Sequence, residues 1–189
     1  MYTPHGTTCH ATTSSDTVII VAKEEWDHKR YFMLMPVASL WTATFPNLYE
    51  TMLPSMPCHA YLDVDCPAAM HTANFTELLQ ARCDAVAAPV FSATIHKFVV
   101  LTSHAPDGTR LSYHIVCHLQ DSSTGRALLF KNNMAAAGFA QRVAQGLPQP
   151  SVIDTKVYKP SQRQMRLLGH SKHARPGAAI SPGHTPHPR

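Results

Sequence analysis

Two aspartates one residue apart stand at the end of an apolar run, in the stretch HAYLDVDCP over residues 59–67. Side chains at positions i and i+2 of a strand share a face, so a strand here would hold Asp63 and Asp65 side by side. Their apolar neighbours, Leu62 and Val64, would face the core. At the usual rise of a strand the two aspartate Cα atoms would lie about 6 to 7 Å apart, which suits a hard cation such as Mg²⁺ or Mn²⁺. Two ordinary exposed aspartates are the alternative that this short motif leaves open.

A row of hydrogen-bond donors is predicted in the stretch RLSYHIV. In a strand, Arg110, Ser112 and His114 share one face, and the apolar residues between them face the core. Each of the three can donate a hydrogen bond to an anionic oxygen, and arginine can donate two in parallel. Such a row suits a triphosphate. An amphipathic strand with three incidental polar groups is the alternative.

A third carboxylate, Asp154, follows an apolar residue in SVIDTKVY over 151–158, which is predicted as a strand. Close to the first pair, it would complete a site for two metal ions. Three basic residues follow it without any acidic residue among them: Arg163, Arg166 and Lys172. Considered one by one, the aspartate and these basic groups are more typical of ordinary solvated surface positions.

The hairpin that carries the row of donors is predicted from turn chemistry. The segments TIHKFVVLTS and RLSYHIVCHL are typical of strands, and HAPDGT lies between them. Proline presets one backbone dihedral and glycine accepts a positive one, so Pro-Asp-Gly forms a tight turn. Further strands are predicted at 16–22 and 59–65, and a last short one at 165–169.

The segment NFTELLQARCDAVAA over 74–88 is predicted as a helix. Asn74 can cap its first turn, and Glu77 three residues later makes a near capping box. One helical face would pack on the core through its apolar residues. These are Phe75, Leu78, Leu79, Cys83 and Val86.

A second helix is predicted at 132–146, with Asn132 or Asn133 as its cap and Gly146 as its stop. Strands and helices interleave along the chain without a repeated βαβ pattern. The sequence therefore predicts an α+β fold with a mixed, largely antiparallel sheet flanked by helices.

Two apolar segments near the N-terminus are less regular. KRYFMLMPVASLW over 29–41 fits a strand or a helix, and Pro36 is expected to divide it. NLYETMLPSMP over 47–57 is predicted as a short helical turn broken by prolines.

Bulk composition excludes several classes of protein. The 189 residues, of which 44% are hydrophobic, fit one domain with a tail. No apolar run reaches the roughly 18 residues of a membrane span, and the N-terminus lacks the pattern of a secretory signal. Five scattered cysteines without a C-x-x-C pair favour an intracellular, reducing compartment. Nucleus, mitochondrion and a viral replication site are not distinguished. Thirteen histidines fit no zinc spacing, so no zinc site is predicted.

Charge is distributed unevenly along the chain. Up to Asp154 there are nine basic and twelve acidic residues, and after it seven basic residues and no acidic one, so the two parts carry −3 and +7. The basic end favours a polyanionic partner or is a solvated tail. Residues 173–189, rich in Pro, Gly and His, are predicted to be a disordered basic tail.

Taken in order, YLDVD, RLSYH and VIDTKVY…MRLLGHSK resemble the three-motif signature of the archaeo-eukaryotic primases. The resemblance is to the primase–polymerase branch, which includes the eukaryotic primase–polymerases and the primase-like proteins of herpesviruses and other large DNA viruses. In that branch an Asp-x-Asp/Glu motif is followed by Ser-x-His, with a basic residue before the serine. An apolar-Asp motif comes third, and a Ser-Lys pair ends the pattern. The resemblance covers about residues 59 to 172.

The resemblance implies an RRM-like catalytic palm with a small N-terminal α/β part, together forming a primase–polymerase catalytic domain over residues 1–172. Its activity would be template-directed nucleotidyl transfer that makes or extends primers on single-stranded DNA from nucleoside triphosphates. Asp63, Asp65 and Asp154 would be catalytic and would hold two Mg²⁺ or Mn²⁺ ions. The implied nucleotide-binding residues are Arg110, Ser112, His114, Arg166 and Lys172. Lys29 and Arg30 are further candidate contacts.

Two alternatives to a primase stay open. Larger relatives carry a zinc module that helps to start primers, and no Cys/His set here matches one, which favours gap-filling or translesion synthesis without priming. A helicase, or a separate protein that carries the zinc module, would then be a further partner. A catalytically degenerate protein that binds single-stranded DNA is the other alternative, although three intact acidic positions speak against it. No membrane partner is predicted.

Overall fold

Strands and helices alternate in an α+β fold, as predicted, in the computed structural model of the chain. It describes residues 18–24, 29–41, 48–70, 72–105, 107–166 and 181–182. In chain order the strands are β1 Val18–Glu24, β2 Arg30–Pro36, β3 Leu48–Met52, β4 Ala60–Pro67, β5 Ala93–Thr102, β6 Arg110–Asp121, β7 Ala127–Leu128, β8 Arg163–Arg166 and β9 Ser181–Pro182. The helices are α1 Phe75–Phe91 and α2 Asn133–Gln145, and 3-10 turns lie at Val37–Trp41, Ala68–Met70, Pro150–Val152 and Thr155–Val157.

The strands form two antiparallel sheets. The small sheet has the order β2-β1-β3-β8, and the large sheet has the order β4-β6-β5-β9, with β7 also paired to β6. Neither α1 nor α2 has the length and apolar character of a membrane-spanning helix. Antiparallel pairing lets one face of each sheet pack on a core while the other carries polar groups.

One face of the large sheet is covered by both helices. Leu62, Val64 and Cys66 of β4 are fully buried there, next to Leu79 of α1 and Phe139 of α2 in a single apolar cluster. The odd-numbered residues Asp63 and Asp65 consequently lie on the opposite face, as the alternation in the sequence predicts. The helices thus fix which face of β4 is available for a site.

The elements follow one another in the order β4-α1-β5-β6-α2, and a short extended segment then returns to the edge of β4. Ile153 in that segment forms an isolated antiparallel bridge with Val64. Residues 151–158 were predicted as a strand, and that prediction is wrong. The segment consists of two 3-10 turns on either side of this bridge, because Pro150 begins the first turn and the Asp154 side chain accepts a hydrogen bond from the Lys156 amide in the second.

The prediction for residues 47–57 is also wrong, because they contain a strand and not a helical turn. β3 pairs with β1 on one side and with β8 on the other, and these long-range hydrogen bonds override the local pattern. The prolines act only after the strand, in the turn that begins at Pro54. The N-terminal part therefore contains strands and a 3-10 turn in its described residues, and the α-helix implied for it is not among them.

Other predicted elements agree with the structure. Pro36 ends β2 and a 3-10 turn follows it, so the proline divides this apolar segment. In the hairpin turn Gly108 has a φ of 68°, the left-handed conformation that glycine adopts without strain. β8 ends at Arg166, and residues 167–169 of the predicted last strand lie outside the described residues. The predicted tail at 173–189 also lies outside them, except that Ser181–Pro182 pairs with β5.

The two predicted helix caps differ in the structure. The Asn132 side chain accepts a 2.9 Å hydrogen bond from the amide of Ala135, whereas Asn74 makes no side-chain hydrogen bond to α1. The capping box predicted around Asn74 is therefore wrong. Of the predicted apolar face of α1, Leu78 is 43% exposed, because it lies at the edge of the buried stripe.

We expect Asn132→Ala to lower the free energy of unfolding by about 1 kcal/mol, because it removes a hydrogen bond to an otherwise unpaired helix amide. Asn74→Ala is the matched control and should change it by less than about 0.5 kcal/mol. Urea denaturation of both variants measures the difference. Equal losses in the two variants would contradict the cap assignment.

His59 and His118 lie beside each other across the large sheet, with ring centroids 4.1 Å apart. Burial and the neighbouring His118 ring lower the pKa of His59 from 6.5 to about 4. The pKa of His118 is also lowered, by burial and then by Lys97 and His96. Both imidazoles are therefore neutral at pH 7 in the folded chain.

Acid should destabilise the fold through this pair. The unfolded chain protonates His59 near pH 6.5 while the folded chain resists protonation until about pH 4, so the free energy of unfolding should fall as the pH is lowered through that window. Urea midpoints measured at several pH values report the slope. His59→Gln removes the titrating group and should flatten it, and an unchanged slope in this variant would reject the assignment.

Candidate active site

A cleft of about 310 Å³ opens between the two sheets. Its lining comes from three parts of the chain. The large sheet contributes Asp63, Asp65, Ser112 and His114, the small sheet contributes Arg30, Tyr49, Arg163 and Gln164, and the connection between α2 and β8 contributes Val157, Lys159, Ser161 and Gln162. This volume lies at the lower end of the range for small-molecule sites, and the lining is mostly polar.

The pairing of β4 with β6 brings the predicted acids and donors together. Asp63 lies directly opposite His114, and Asp65 directly opposite Ser112. Asp63 Oδ1 is 3.4 Å from His114 Nε2, and Asp65 accepts hydrogen bonds from the Ser112 hydroxyl and the Arg110 guanidinium. Five of the residues predicted from the sequence are thus neighbours on one face of two adjacent strands.

A cation from the small sheet also reaches Asp63. Arg163, the first residue of β8, donates from Nη2 to Asp63 Oδ2 over 3.0 Å. The side chains of Asp63 and Arg163 are 16% and 32% exposed, so the pair is partly shielded from water. The two carboxylates of β4 therefore each have an arginine partner, Arg163 for Asp63 and Arg110 for Asp65.

Asp154 lies beside Asp63 through its backbone. Its amide donates a 2.8 Å hydrogen bond to the Asp63 carbonyl, in register with the bridge between Val64 and Ile153. The Asp154 carboxylate accepts a 2.9 Å hydrogen bond from the Lys156 amide and does not line the cleft. The third acid thus returns to the edge of the same strand, although its carboxylate is turned toward its own 3-10 turn.

A buried hydrogen-bond network holds the connection that carries Asp154. The Tyr158 hydroxyl donates to the Tyr61 carbonyl, and the Tyr61 hydroxyl donates to the Asn133 side-chain oxygen. Asn133 in turn donates to the Lys159 carbonyl over 3.0 Å. Burial raises the pKa of both tyrosines, so both hydroxyls keep their protons. The network ties the connection to β4 and to the first turn of α2.

The donor chemistry of the cleft fits a hard divalent cation. Asp63 and Asp65 line the cleft, and their carboxylate oxygens are the ligand type that Mg²⁺ and Mn²⁺ prefer. Among the described residues, no three acidic, histidine or cysteine side chains are grouped closely enough to bind one ion. Two carboxylates could therefore hold a cation only if it takes its remaining ligands from outside the described residues.

The structure does not describe the side chains of two predicted nucleotide-binding residues, and a third, Arg110, contacts Asp65 without lining the cleft. The backbone of Arg166 pairs with Tyr49 at the end of β8, and Lys172 lies outside the described residues. Arg30, a candidate contact in the sequence, lines the cleft. Arg163 and Lys159 also line it, and only their position in a basic stretch after Asp154 marks them in the sequence.

Comparison of the chain with protein-family models and with curated protein sequences gives no match.

The hydrogen-bond network predicts that Tyr61→Phe is less stable than the wild type. Without the hydroxyl, the Asn133 oxygen is left buried without its donor, so the free energy of unfolding should fall by about 1–3 kcal/mol. Tyr31→Phe removes the same group from a side chain that is 55% exposed and should change stability by less than about 0.5 kcal/mol. Thermal and urea unfolding of the two variants compare them, and similar values would contradict a structural role for the network.

Proposed function

We propose that this chain is a template-directed nucleotidyltransferase that makes or extends primers on single-stranded DNA. One observation carries the proposal: Asp63 and Asp65 lie directly opposite His114 and Ser112 in a cleft between two sheets. Carboxylates suited to a cation and donors suited to a triphosphate are thus adjacent, which is the combination that phosphoryl transfer requires. The resemblance of the three motifs to primase–polymerases supports the same reaction.

The proposed cation ligands are Asp63, Asp65 and Asp154, with Mg²⁺ or Mn²⁺ as the ion. When bound, two such ions lower the pKa of the primer 3′-hydroxyl and neutralise charge on the leaving pyrophosphate. The three carboxylates would hold the ions in a fixed position relative to β4. The backbone bond from Asp154 to Asp63 supports the inclusion of the third acid, since it keeps that residue at the edge of the same strand.

The donors on β6 would bind the incoming nucleotide. Arg110, Ser112 and His114 project from one face, so their N–H and O–H groups can each meet a different phosphate oxygen. Lys159 and Arg30 add positive charge to the same cleft. The positive charge of these two residues would stabilise the bound triphosphate and the leaving pyrophosphate. Arg166 and Lys172 remain proposed contacts from the family resemblance.

An RRM-like palm is part of the proposal. The order β4-α1-β5-β6-α2, followed by the bridge of Ile153 to Val64, corresponds to a β-α-β-β-α-β unit whose last strand is reduced to a single bridge. The sheet order β5-β6-β4 followed by residue 153 is antiparallel at each step, which supports this interpretation. The catalytic acids would then lie on the face of the palm that the helices leave open.

Asp63→Asn and Asp65→Asn should each reduce primer extension by at least about a thousandfold, because each removes a negative charge from the proposed cation site. Extension of a labelled primer on a single-stranded template, with Mg²⁺ or Mn²⁺, measures the loss. Asp84→Asn changes an exposed carboxylate on α1, on the far side of the sheet, and should extend like the wild type. Thermal melting checks that the variants are folded.

Extension at near wild-type rate in Asp63→Asn would reject the proposed mechanism. A wild-type chain that binds single-stranded DNA and incorporates no labelled nucleotide would instead support a binding protein. Synthesis of a dinucleotide on a bare template distinguishes priming from extension alone, since only a primase joins two free nucleotides.

A further inference from the structure

Arg163 joins the two sheets across the cleft. It begins β8 in the small sheet, where it pairs with Met52, and its guanidinium reaches Asp63 of the large sheet. The residues are 100 positions apart in the chain. The ion pair therefore depends on the packing of the sheets. A change in what Asp63 binds acts directly on one of the side chains that β8 contributes to the cleft.

The contact between Arg163 and Asp63 uses only part of the guanidinium. Nη2 donates to Asp63 Oδ2, while the other carboxylate oxygen faces His114, so the paired fork of an arginine–carboxylate bridge is not formed. Arg163 Nε is buried and has no hydrogen-bond partner. An unpaired buried N–H is unfavourable, and here it belongs to a side chain that lines the cleft. Arg163 thus has an N–H group, on Nε, that is not bonded to Asp63.

Asp63 carries one negative charge and cannot neutralise both a guanidinium and a divalent cation. A cation held by Asp63 and Asp65 would be a second positive charge beside Arg163, in a site whose partial burial strengthens the repulsion. Arg163 can avoid this repulsion by leaving Asp63 for another anion. The triphosphate of the proposed substrate is such an anion, and the remaining donors of the cleft already suit it.

We propose that Arg163 is a further triphosphate-binding residue, which Asp63 holds while no cation is bound and releases when one binds. This inference rests on the proposed function, because it assigns a role to Arg163 at the same site. It makes the binding of cation and of nucleotide mutually dependent. The cation frees Arg163 for the nucleotide, and the nucleotide removes Arg163 from competition for Asp63, so each increases the affinity for the other.

Mn²⁺ binding to the folded chain, followed by electron paramagnetic resonance or calorimetry, tests this coupling without any turnover. Three proteins are compared: the wild type, Arg163→Gln, and Arg126→Gln as a control that removes the same charge from an exposed turn. Each is titrated alone and with a non-hydrolysable deoxynucleoside triphosphate. In the wild type the nucleotide should tighten Mn²⁺ binding by about tenfold or more.

Arg163→Gln should bind Mn²⁺ alone about tenfold more tightly than the wild type, because Asp63 no longer has a competing cation. It should also lose most of the further tightening that the nucleotide causes, while Arg126→Gln behaves like the wild type. A variant that is merely damaged would bind the ion more weakly, so the sign of the change separates the two explanations. Arg163→Lys keeps the positive charge and should keep the weak binding of Mn²⁺ alone.

Equal or weaker Mn²⁺ binding in Arg163→Gln, with Mn²⁺ binding present in the wild type, overturns the role of Arg163 and leaves the proposed function standing. Should Arg163→Gln be unfolded in a melting experiment, Arg163→Lys decides: Mn²⁺ binding about tenfold tighter than in the wild type overturns the competition. The absence of Mn²⁺ binding from every protein, with and without nucleotide, overturns the proposed function and this inference together.

Discussion

The antiparallel pairing of β4 with β6 determines which side chains meet in the cleft. Its register sets Asp63 opposite His114 and Asp65 opposite Ser112. A slip of one residue would turn both carboxylates into the apolar core and bring Leu62 and Val64 to the open face. The buried apolar residues on the helix-covered face prevent such a slip, because they are completely excluded from water. The core of the large sheet therefore keeps the carboxylates and the hydrogen-bond donors on the opposite face.

Charge compensation is the second constraint on the cleft. Two carboxylates on neighbouring strand positions would repel each other, and their partial burial makes that repulsion more serious. Arg163 and Arg110 supply the opposite charge, and Ser112 and His114 supply further polar contacts. The acids are therefore accommodated in the folded chain by its own basic groups. The same groups are the donors that the proposed substrate would use, so the arrangement that stabilises the site also equips it for an anion.

The connection between α2 and β8 relates the two sheets to each other. Tyr61, Tyr158 and Asn133 attach it to β4 and to α2 through buried hydrogen bonds. From this attachment the chain proceeds through Lys159 to β8, which completes the small sheet and brings Arg163 to Asp63. The position of the small sheet relative to the open face of the large sheet is thus determined by polar contacts at the cleft as well as by apolar packing.

Features that depend on neighbours in the chain could be predicted from the sequence alone. The alternation in YLDVD and RLSYH predicted the shared faces of the acids and the donors, and the Pro-Asp-Gly turn predicted the hairpin. The pair Asn132 and Asn133 predicted the start of α2, and the structure shows that Asn132 is the cap. The folded arrangement alone determines that residues 48–52 form a strand, because β1 and β8 supply the hydrogen bonds of β3 from distant parts of the chain. It also determines that Arg163 contacts Asp63. A contact between residues 100 positions apart arises from the packing of two sheets, and neither segment contains a sequence pattern that predicts it.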